Sequence, residues 1–198
     1  MDLDEYISKL KSESATPGGG SASAITSMFS VSLNSMAALL SLGKKKLERY
    51  NKDFENISGN AGETIEKLKT LSQEDEDSFQ GIMDALHLEK ENPERENALD
   101  IAIKKSVYVS WRIAGISMNS LNDSLFLCRH GNKNLITDSI SAGYMSYTSI
   151  HTSINNIRIN LKFQKDLEYR YGEQVKLKLF METVEETMTA IKAKEDEL

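Results

Sequence analysis

Apolar residues recur at helical spacing along most of the chain. The most regular run lies between residues 136 and 161, where steps of four and three alternate: Ile136, Ile140, Gly143, Tyr147, Ile150, Ile154, Ile157 and Leu161. A repeat of this kind places one apolar seam along a helix and is typical of helices that pack side by side. The segment is therefore predicted to be a long helix with one buried face.

A second helix is predicted from Ser21 to Gly43. Its expected buried face is formed by apolar or small residues three or four positions apart: Ile25, Met28, Phe29, Ser32, Met36, Leu39, Leu40 and Gly43. Its other faces carry alanine and serine rather than charged residues, so neighbouring helices can approach it on more than one side. We expect this helix to lie at the centre of the fold.

Three further helices complete the predicted architecture. One covers about residues 54–88, and the next begins at Asn92–Glu94, where an N-cap, a proline and an acidic first turn follow one another. That helix is expected to end before Gly131, and a last one to run from about Gly172 to Ile191. The prediction is an all-α antiparallel bundle of about five long helices in a single domain, residues 1–198.

The charge and composition of the chain exclude several classes of function. The formal net charge is −6, with 24 basic and 30 acidic residues, whereas nucleic-acid binding requires a basic surface. The lone cysteine, Cys128, forms no internal disulfide, and no signal peptide is recognised at the start. The apolar stretches are shorter than the roughly 18–20 residues that cross a bilayer. We expect a cytoplasmic protein with no membrane span.

The first candidate site is the turn Thr16–Ser21, in which Pro17 precedes Gly18, Gly19 and Gly20. Glycines let the backbone pass close to a ligand, and the N-terminus of the following helix offers free N–H groups and partial positive charge. The turn therefore suits a carboxylate, a phosphate or an electron-rich ring. The alternative is that these glycines only make a tight entry into the helix.

Two charged clusters are further candidates. Lys44, Lys45 and Lys46 follow the central helix, where they either bind an anionic tail or form a solvated helix end. Asp75 lies in an acidic run and is four residues before Phe79, so the two share a helical face. Because Phe79 belongs to an apolar stripe, Asp75 is expected to point towards a cleft and to act as a base. The alternative is a solvated acidic face.

Amide and carboxylate side chains supply the remaining candidates. Asn132, Asn134 and Asp138 form a loop and helix start, roles that such residues also fill without a ligand. Asn156 and Asn160 are four residues apart beside the apolar seam. Their amides either form hydrogen bonds with a polar heterocycle or bond to a neighbouring helix. The histidines are scattered, and the chain has no spacing typical of zinc ligands. No metal site is predicted.

Taken in order, these motifs resemble the cyclodeaminase/cyclohydrolase family over roughly Tyr6 to Asp166. The resemblance implies an all-helical homodimer with folate one-carbon chemistry and no cofactor beyond the tetrahydrofolate substrate, which carries one or several glutamates. Since no formiminotransferase domain is attached, it favours a stand-alone methenyltetrahydrofolate cyclohydrolase. The alternatives are a formiminotetrahydrofolate cyclodeaminase, which releases ammonia, and a helical dimer scaffold without catalysis. Neither nucleic acid nor membrane is an expected partner.

The resemblance also implies roles for the candidate residues. Asp75 would be the general base. The 17–21 turn, Asn156 and Asn160 would orient the pterin, and Lys44–Lys46 would bind the glutamate tail. The remaining substrate-binding candidates are Asn132, Asn134 and Asp138. Three positions depart from the family pattern, which often has aspartate at Gln73, a small residue at Thr152 and serine at Thr137. These departures leave Asp75 as the better acid/base candidate and argue against a mechanism that needs two carboxylates on that turn.

Overall fold

A computed structural model describes residues 2–198 and contains helices but no strand in that range. The all-helical prediction is confirmed, and the five predicted long helices are present with one short helix before them. The α-helices are α1 (Leu3–Leu10), α2 (Gly19–Leu39), α3 (Asn51–His87), α4 (Arg95–His130), α5 (Ile136–Phe163) and α6 (Leu167–Glu195). Short 3-10 helices cover Lys45–Tyr50 and Lys133–Leu135.

Helix α2 lies at the centre, packed against α3, α4 and α5, while α6 covers the outer side of α4 and α5. Helix α3 runs antiparallel to α2, because the start of α2 bonds to Asp75 and its end packs near Phe54. Helices α4 and α5 are also antiparallel, since Ser106 bonds to Asn160 and Ser117 to Ser149. The first turn of α2 therefore lies beside the middle of α3 and the last turns of α5.

The predicted buried face of α2 is confirmed at Ile25 and Met28 but is wrong for the other large residues. Phe29, Met36, Leu39 and Leu40 are exposed, and the buried positions are mostly serine and alanine. Small side chains let the neighbouring helices approach closely, and buried hydroxyls on facing helices bond to one another: Ser30 Oγ lies 2.6 Å from Ser146 Oγ. Phe29, Met36, Leu39 and Leu40 lie instead on the outward side of α2.

The predicted seam of α5 is confirmed in its main positions. Ile140, Ile150, Ile154, Ile157 and Leu161 are buried in one cluster with residues of α4 and α6. Gly143 is the small member of the seam, because a Cβ there would lie 2.9 Å from Ile191 Cδ1. The seam thus fixes α6 and α4 on one side of α5 and leaves its other side to α2.

Helix boundaries differ from the predicted ones where local caps decide them. Helix α4 starts at Arg95, since Asn92 Oδ1 accepts the Glu94 N–H at 2.9 Å in a turn that precedes the helix. Helix α6 starts at Leu167 rather than near Gly172, because the Asp166 carboxylate caps it by accepting the Tyr169 N–H at 3.0 Å. The predicted stop of α4 at Gly131 is confirmed.

Helix α2 is by length and composition long and apolar enough to cross a membrane, in contrast to the sequence expectation. A core helix meets the same criteria, and 56% of its most apolar window is buried within the fold. Its position between α3, α4 and α5 accounts for that composition through packing.

Candidate active site

A cleft of about 470 Å³ opens at the N-terminal end of α2, between α3, the first four turns of α4 and the end of α5. Its polar lining comes from Gly18–Gly20, Asp75, Ser106, Asn156 and Asn160. The rest of the wall is apolar and is formed by Phe79, Ile82, Met83, Leu86, Leu99, Ile103, Ile159 and Phe163. One carboxylate and a few amides thus face an apolar cavity, the composition typical of a site for a flat, partly polar organic ligand.

Among residues 2–198, Asp75 is the only ionisable residue that lines this cleft. Its Oδ2 accepts the backbone N–H of Ser21 at 3.0 Å, so the carboxylate caps the first turn of α2. The pKa of Asp75 is raised to about 6, mainly by burial; the hydrogen bond from the Ser21 N–H opposes this rise, and the nearby charge of Glu76 adds to it. A carboxyl group with such a pKa is mostly ionised at neutral pH, yet it binds a proton readily.

Gly20 provides the space that this carboxylate occupies. A Cβ at Gly20 would lie 2.0 Å from Asp75 Oδ1 and 2.3 Å from its Cγ. Any larger residue would therefore push the Asp75 side chain out of its position beside α2. The triple glycine is thus more than an entry turn, since one of its members allows the helix start and the carboxylate to touch.

A buried network of hydroxyl groups stabilises the first turn of α2. Ser21 Oγ lies 2.7 Å from Ser72 Oγ and 3.2 Å from the Tyr6 hydroxyl, and it donates to Glu76 Oε1 at 3.2 Å. Ser21 and Pro17 are both buried, and neither lines the cleft. Of the predicted turn residues, the three glycines face the cleft, while Ser21 fixes Asp75 through its backbone amide.

The two asparagines of α5 form the opposite edge of the cleft. Asn160 Nδ2 donates to Ser106 Oγ at 2.8 Å, so part of its bonding capacity is used between helices. The Asn156 amide makes no hydrogen bond with the described residues, and its Oδ1 lies near Gly19, 4.0 Å from where a Cβ would be. Asn156 is therefore the freer of the two for a ligand.

The other predicted binding residues lie at the far end of α2. This helix of 21 residues is about 30 Å long, and Lys44, Lys45 and Lys46 follow its C-terminus. Asn132 is there too, donating its N–H to Ser41 Oγ at 2.9 Å and accepting the Asn134 N–H at 3.2 Å, while Asp138 is in the first turn of α5. The expectation of one site is thus corrected: within one chain these six residues do not line the cleft.

Sequence reasoning missed the apolar wall of the cleft, because its members belong to three helices and meet only in the folded chain. A partial signal exists in Ile159 and Phe163, which lie off the buried seam of α5 and are 47% and 64% exposed. Large apolar side chains at polar positions beside Asn156 and Asn160 indicate a surface that a ligand or partner covers.

The positions that depart from the family pattern lie outside the cleft lining. Gln73 points away along α3, where its Nε2 donates to Asp77 Oδ1 at 3.0 Å. Thr152 bonds to its own helix through the Thr148 carbonyl at 3.0 Å, and its methyl group approaches Gly19. Asp75 therefore remains the acid/base residue that the geometry offers.

Comparison with known proteins gives one consistent family. The family model described as formiminotransferase-cyclodeaminase matches residues 2–178. The chain is 27% identical over 173 residues to the formimidoyltransferase-cyclodeaminase of Gallus gallus, covering 85% of this chain and 32% of that protein. It thus spans about a third of the length of that relative.

Two further similarities extend over most of both chains. The chain is 25% identical over 164 residues to the methenyltetrahydrofolate cyclohydrolase of Methylorubrum extorquens, covering 81% of this chain and 79% of that one. The crystal structure of formiminotetrahydrofolate cyclodeaminase from Thermotoga maritima superposes with a TM-score of 0.91 at 23% identity, covering 98% of this chain and 95% of that one. The second similarity establishes a shared fold.

Proposed function

The chain belongs to the formiminotransferase-cyclodeaminase family, and on that premise we propose that it is a methenyltetrahydrofolate cyclohydrolase that forms formyltetrahydrofolate. The observation that carries the proposal is Asp75, a single carboxylate with a raised pKa in an apolar cleft beside free backbone and amide groups. The relative with the same activity in its name matches over most of both chains, which supports hydrolysis as the reaction.

The proposed chemistry uses Asp75 first as a base and then as an acid. Methenyltetrahydrofolate carries a cation delocalised over two nitrogens, and the ionised carboxylate stabilises it in the apolar cleft. A water attacks the bridging carbon while Asp75 takes its proton, which leaves a neutral adduct. The protonated Asp75 then gives that proton to the departing nitrogen as its bond to carbon breaks, and the hydroxyl proton of the adduct passes to solvent. The formyl group remains on the other nitrogen.

Binding groups around Asp75 suit the rest of the substrate. In the proposal, the Gly18–Gly20 backbone and Asn156 orient the pterin through hydrogen bonds, while the apolar wall between Phe79 and Phe163 packs on the rings. Asn160 contributes less, because Ser106 already accepts one of its N–H groups. Orientation of this kind is a large part of the rate that an active site supplies.

The second candidate is formiminotetrahydrofolate cyclodeaminase, which the names of the Gallus gallus relative and the Thermotoga maritima structure favour. There, a substrate nitrogen would close the ring on the formimino carbon, and protonated Asp75 would give its proton to the departing ammonia. The same carboxyl group with a pKa of about 6 suits this role.

One assay separates the two reactions. The purified protein is incubated with methenyltetrahydrofolate, followed by loss of its near-ultraviolet absorbance, and separately with formiminotetrahydrofolate, followed by ammonia release. The proposal predicts rapid loss of the methenyl absorbance. Rapid ammonia release with a slow methenyl reaction would establish the cyclodeaminase instead, and inactivity on both with no folate binding would leave a non-catalytic helical protein.

The protein is further proposed to form a homodimer through the outward side of α2. No charged residue occurs between Glu13 and Lys44, and Phe29, Met36, Leu39 and Leu40 are 37–56% exposed on that side. From Phe29 to Leu40 this uncharged apolar strip is about 17 Å long, which is unusual on a protein with 54 charged residues. A second copy suits it, since a twofold axis pairs one surface with itself and the strip carries no charge to repel its copy.

A charge placed in this strip tests the dimer. Phe29→Glu is expected to convert the dimer to monomer at micromolar concentration in sedimentation experiments, because it buries a carboxylate against its own copy. The matched control is Tyr108→Glu, which adds the same charge at an aromatic residue exposed on α4. A wild-type monomer, or loss of the dimer only in the control, would contradict this interface.

A further inference from the structure

Two neighbouring residues of α3 bind the same serine in the first turn of α2. The Ser21 backbone N–H donates to Asp75 Oδ2 at 3.0 Å, and the Ser21 hydroxyl donates to Glu76 Oε1 at 3.2 Å. Asp75 and Glu76 are adjacent in sequence, so a single turn of α3 accepts both hydrogen bonds. The start of α2 therefore connects the candidate base to a second carboxylate.

The hydrogen bonds of the Ser21 hydroxyl are fully used in this arrangement. A serine hydroxyl has one proton to donate and two lone pairs with which to accept. Its three partners are Ser72 Oγ at 2.7 Å, the Tyr6 hydroxyl at 3.2 Å and Glu76 Oε1. Because an ionised carboxylate only accepts, Ser21 donates to Glu76 and accepts from Ser72 and Tyr6. Glu76 thus sets the direction of all three hydrogen bonds.

Glu76 lies outside the cleft and lines a separate cavity of about 290 Å³ beside α1. The other titratable residues of that cavity are Asp2, Glu5, Tyr6, Lys9 and Lys69. Lys9 pairs with Glu5 at 2.8 Å, and Lys69 pairs with Glu66 at 2.6 Å. Among residues 2–198, no lysine or arginine nitrogen lies within 4.0 Å of the Glu76 carboxylate. Its negative charge is therefore not neutralised by an ion pair with these residues.

Building on the proposed function, we infer that Glu76 is a positioning residue for the reaction, which holds Asp75 against the first turn of α2 through Ser21. The Ser21 N–H reaches Asp75 only while this turn lies against α3, and the bond from the Ser21 hydroxyl to Glu76 joins the two helices at that point. The charge of Glu76 has a second effect, because it adds to the rise that burial causes in the pKa of Asp75. Glu76 takes no part in the proton transfer itself.

The pH profile of methenyltetrahydrofolate turnover tests the inference. Glu76→Gln keeps an oxygen that accepts from Ser21 but removes the charge, so kcat/KM at pH 7.5 should stay within about twofold of the wild-type value. The acidic limb of the profile should shift to lower pH by about half a unit, because Asp75 loses a neighbouring negative charge.

Glu76→Ala removes the hydrogen bond as well as the charge. Its kcat should fall about tenfold, the scale of one charge-assisted hydrogen bond, while KM changes little. The melting temperature of both variants shows whether they are folded under the assay conditions. Because Glu76→Gln keeps the size of the side chain, its pH profile can be measured even where Glu76→Ala is less stable.

The matched control is Asp77→Asn, which removes one carboxylate charge two residues from Asp75. Asp77 is exposed and accepts a hydrogen bond from Gln73 Nε2 at 3.0 Å, so it takes no part in the contacts of Ser21. Its kcat and the position of its acidic limb should both match those of the wild type.

Three results would overturn the inference while leaving the proposed function intact. They are an acidic limb at the wild-type pH in Glu76→Gln, a wild-type kcat in Glu76→Ala, or a shift of the acidic limb in Asp77→Asn equal to that in Glu76→Gln. A wild-type protein that does not hydrolyse methenyltetrahydrofolate would instead remove the proposed function, and this inference with it.

Discussion

The two ends of α2 carry similar sequence signals but different structures. Each end has glycine next to residues suited to an anion, the first at Gly18–Gly20 and the second at Gly43 followed by lysines. At the first end Gly20 touches a carboxylate within a cleft, whereas nothing lies within 4 Å of a Cβ placed at Gly43. A glycine motif becomes a site only where other elements enclose it, and the described residues leave the Cβ side of Gly43 open.

The largest predicted difference between the two ends of α2 appears when Gly20 and Gly43 are each replaced by alanine. Gly20→Ala is expected to reduce turnover at least about a hundredfold, because its Cβ displaces the Asp75 carboxylate from its place beside α2. The protein should still fold, since the clashing atoms belong to a side chain that can rotate. Turnover and melting temperature measure the two effects.

Gly43→Ala is the counterpart, and its effect should fall on stability instead. Gly43 has φ of +70°, a backbone conformation that costs a non-glycine residue about 1 kcal/mol or more. Its turnover should stay near the wild-type value at temperatures where it is folded. Equal turnover losses in both glycine variants would contradict the difference between the two ends.

The next largest predicted effect is the pH dependence of turnover. Since burial raises the pKa of Asp75 to about 6 and the base must be ionised, kcat/KM for methenyltetrahydrofolate should fall about tenfold per pH unit below that value. Above pH 7 the profile should be flat as far as Asp75 is concerned. A rate that stays constant down to pH 4.5 would mean that another group takes the proton.

The smallest effect concerns stability. The folded pKa of Asp75 lies above the usual value of 3.8, so the folded state holds its proton more tightly and the carboxylate makes stability fall as pH rises from about 4 to 6. Asp75→Asn should therefore raise the free energy of unfolding at pH 7.5 by about 1–3 kcal/mol, and change it little at pH 4. Melting curves at both pH values check this, and destabilisation at pH 7.5 would contradict it.

The sequence predicted the parts of the fold that rest on large apolar residues. The isoleucine seam of α5 was recognised because each seam position is large and regularly spaced, and Ile154 and Ile157 are indeed fully buried. The buried face of α2 was not, since Ser23, Ser27 and Ser30 read as polar. Their hydroxyls are bonded to other buried hydroxyls or carbonyls, a pairing that only the tertiary structure supplies.

The candidate site was likewise predicted from the sequence only in part. The spacing of Asp75 and Phe79 indicated that the carboxylate faces a cleft, because both residues share one helical face. The role of Gly20 beside Asp75 depends on a contact between residues far apart in sequence. Lys44–Lys46 were correctly placed after the central helix, which separates them from the cleft by its whole length within one chain, and their binding of the glutamate tail stays a prediction.

The most direct test of the central role of Asp75 compares it with a matched aspartate. Asp123 also has its pKa raised to about 6 by burial, but it lines a separate cavity between α2, α3 and α4. Turnover of methenyltetrahydrofolate is measured in Asp75→Asn and Asp123→Asn, with folate binding determined for both.

Asp75→Asn is expected to bind folate and to lose about a hundredfold to ten-thousandfold in kcat, while Asp123→Asn keeps turnover near the wild-type value. Near-normal turnover in Asp75→Asn, or an equal loss in Asp123→Asn, would contradict the assignment of proton transfer to Asp75.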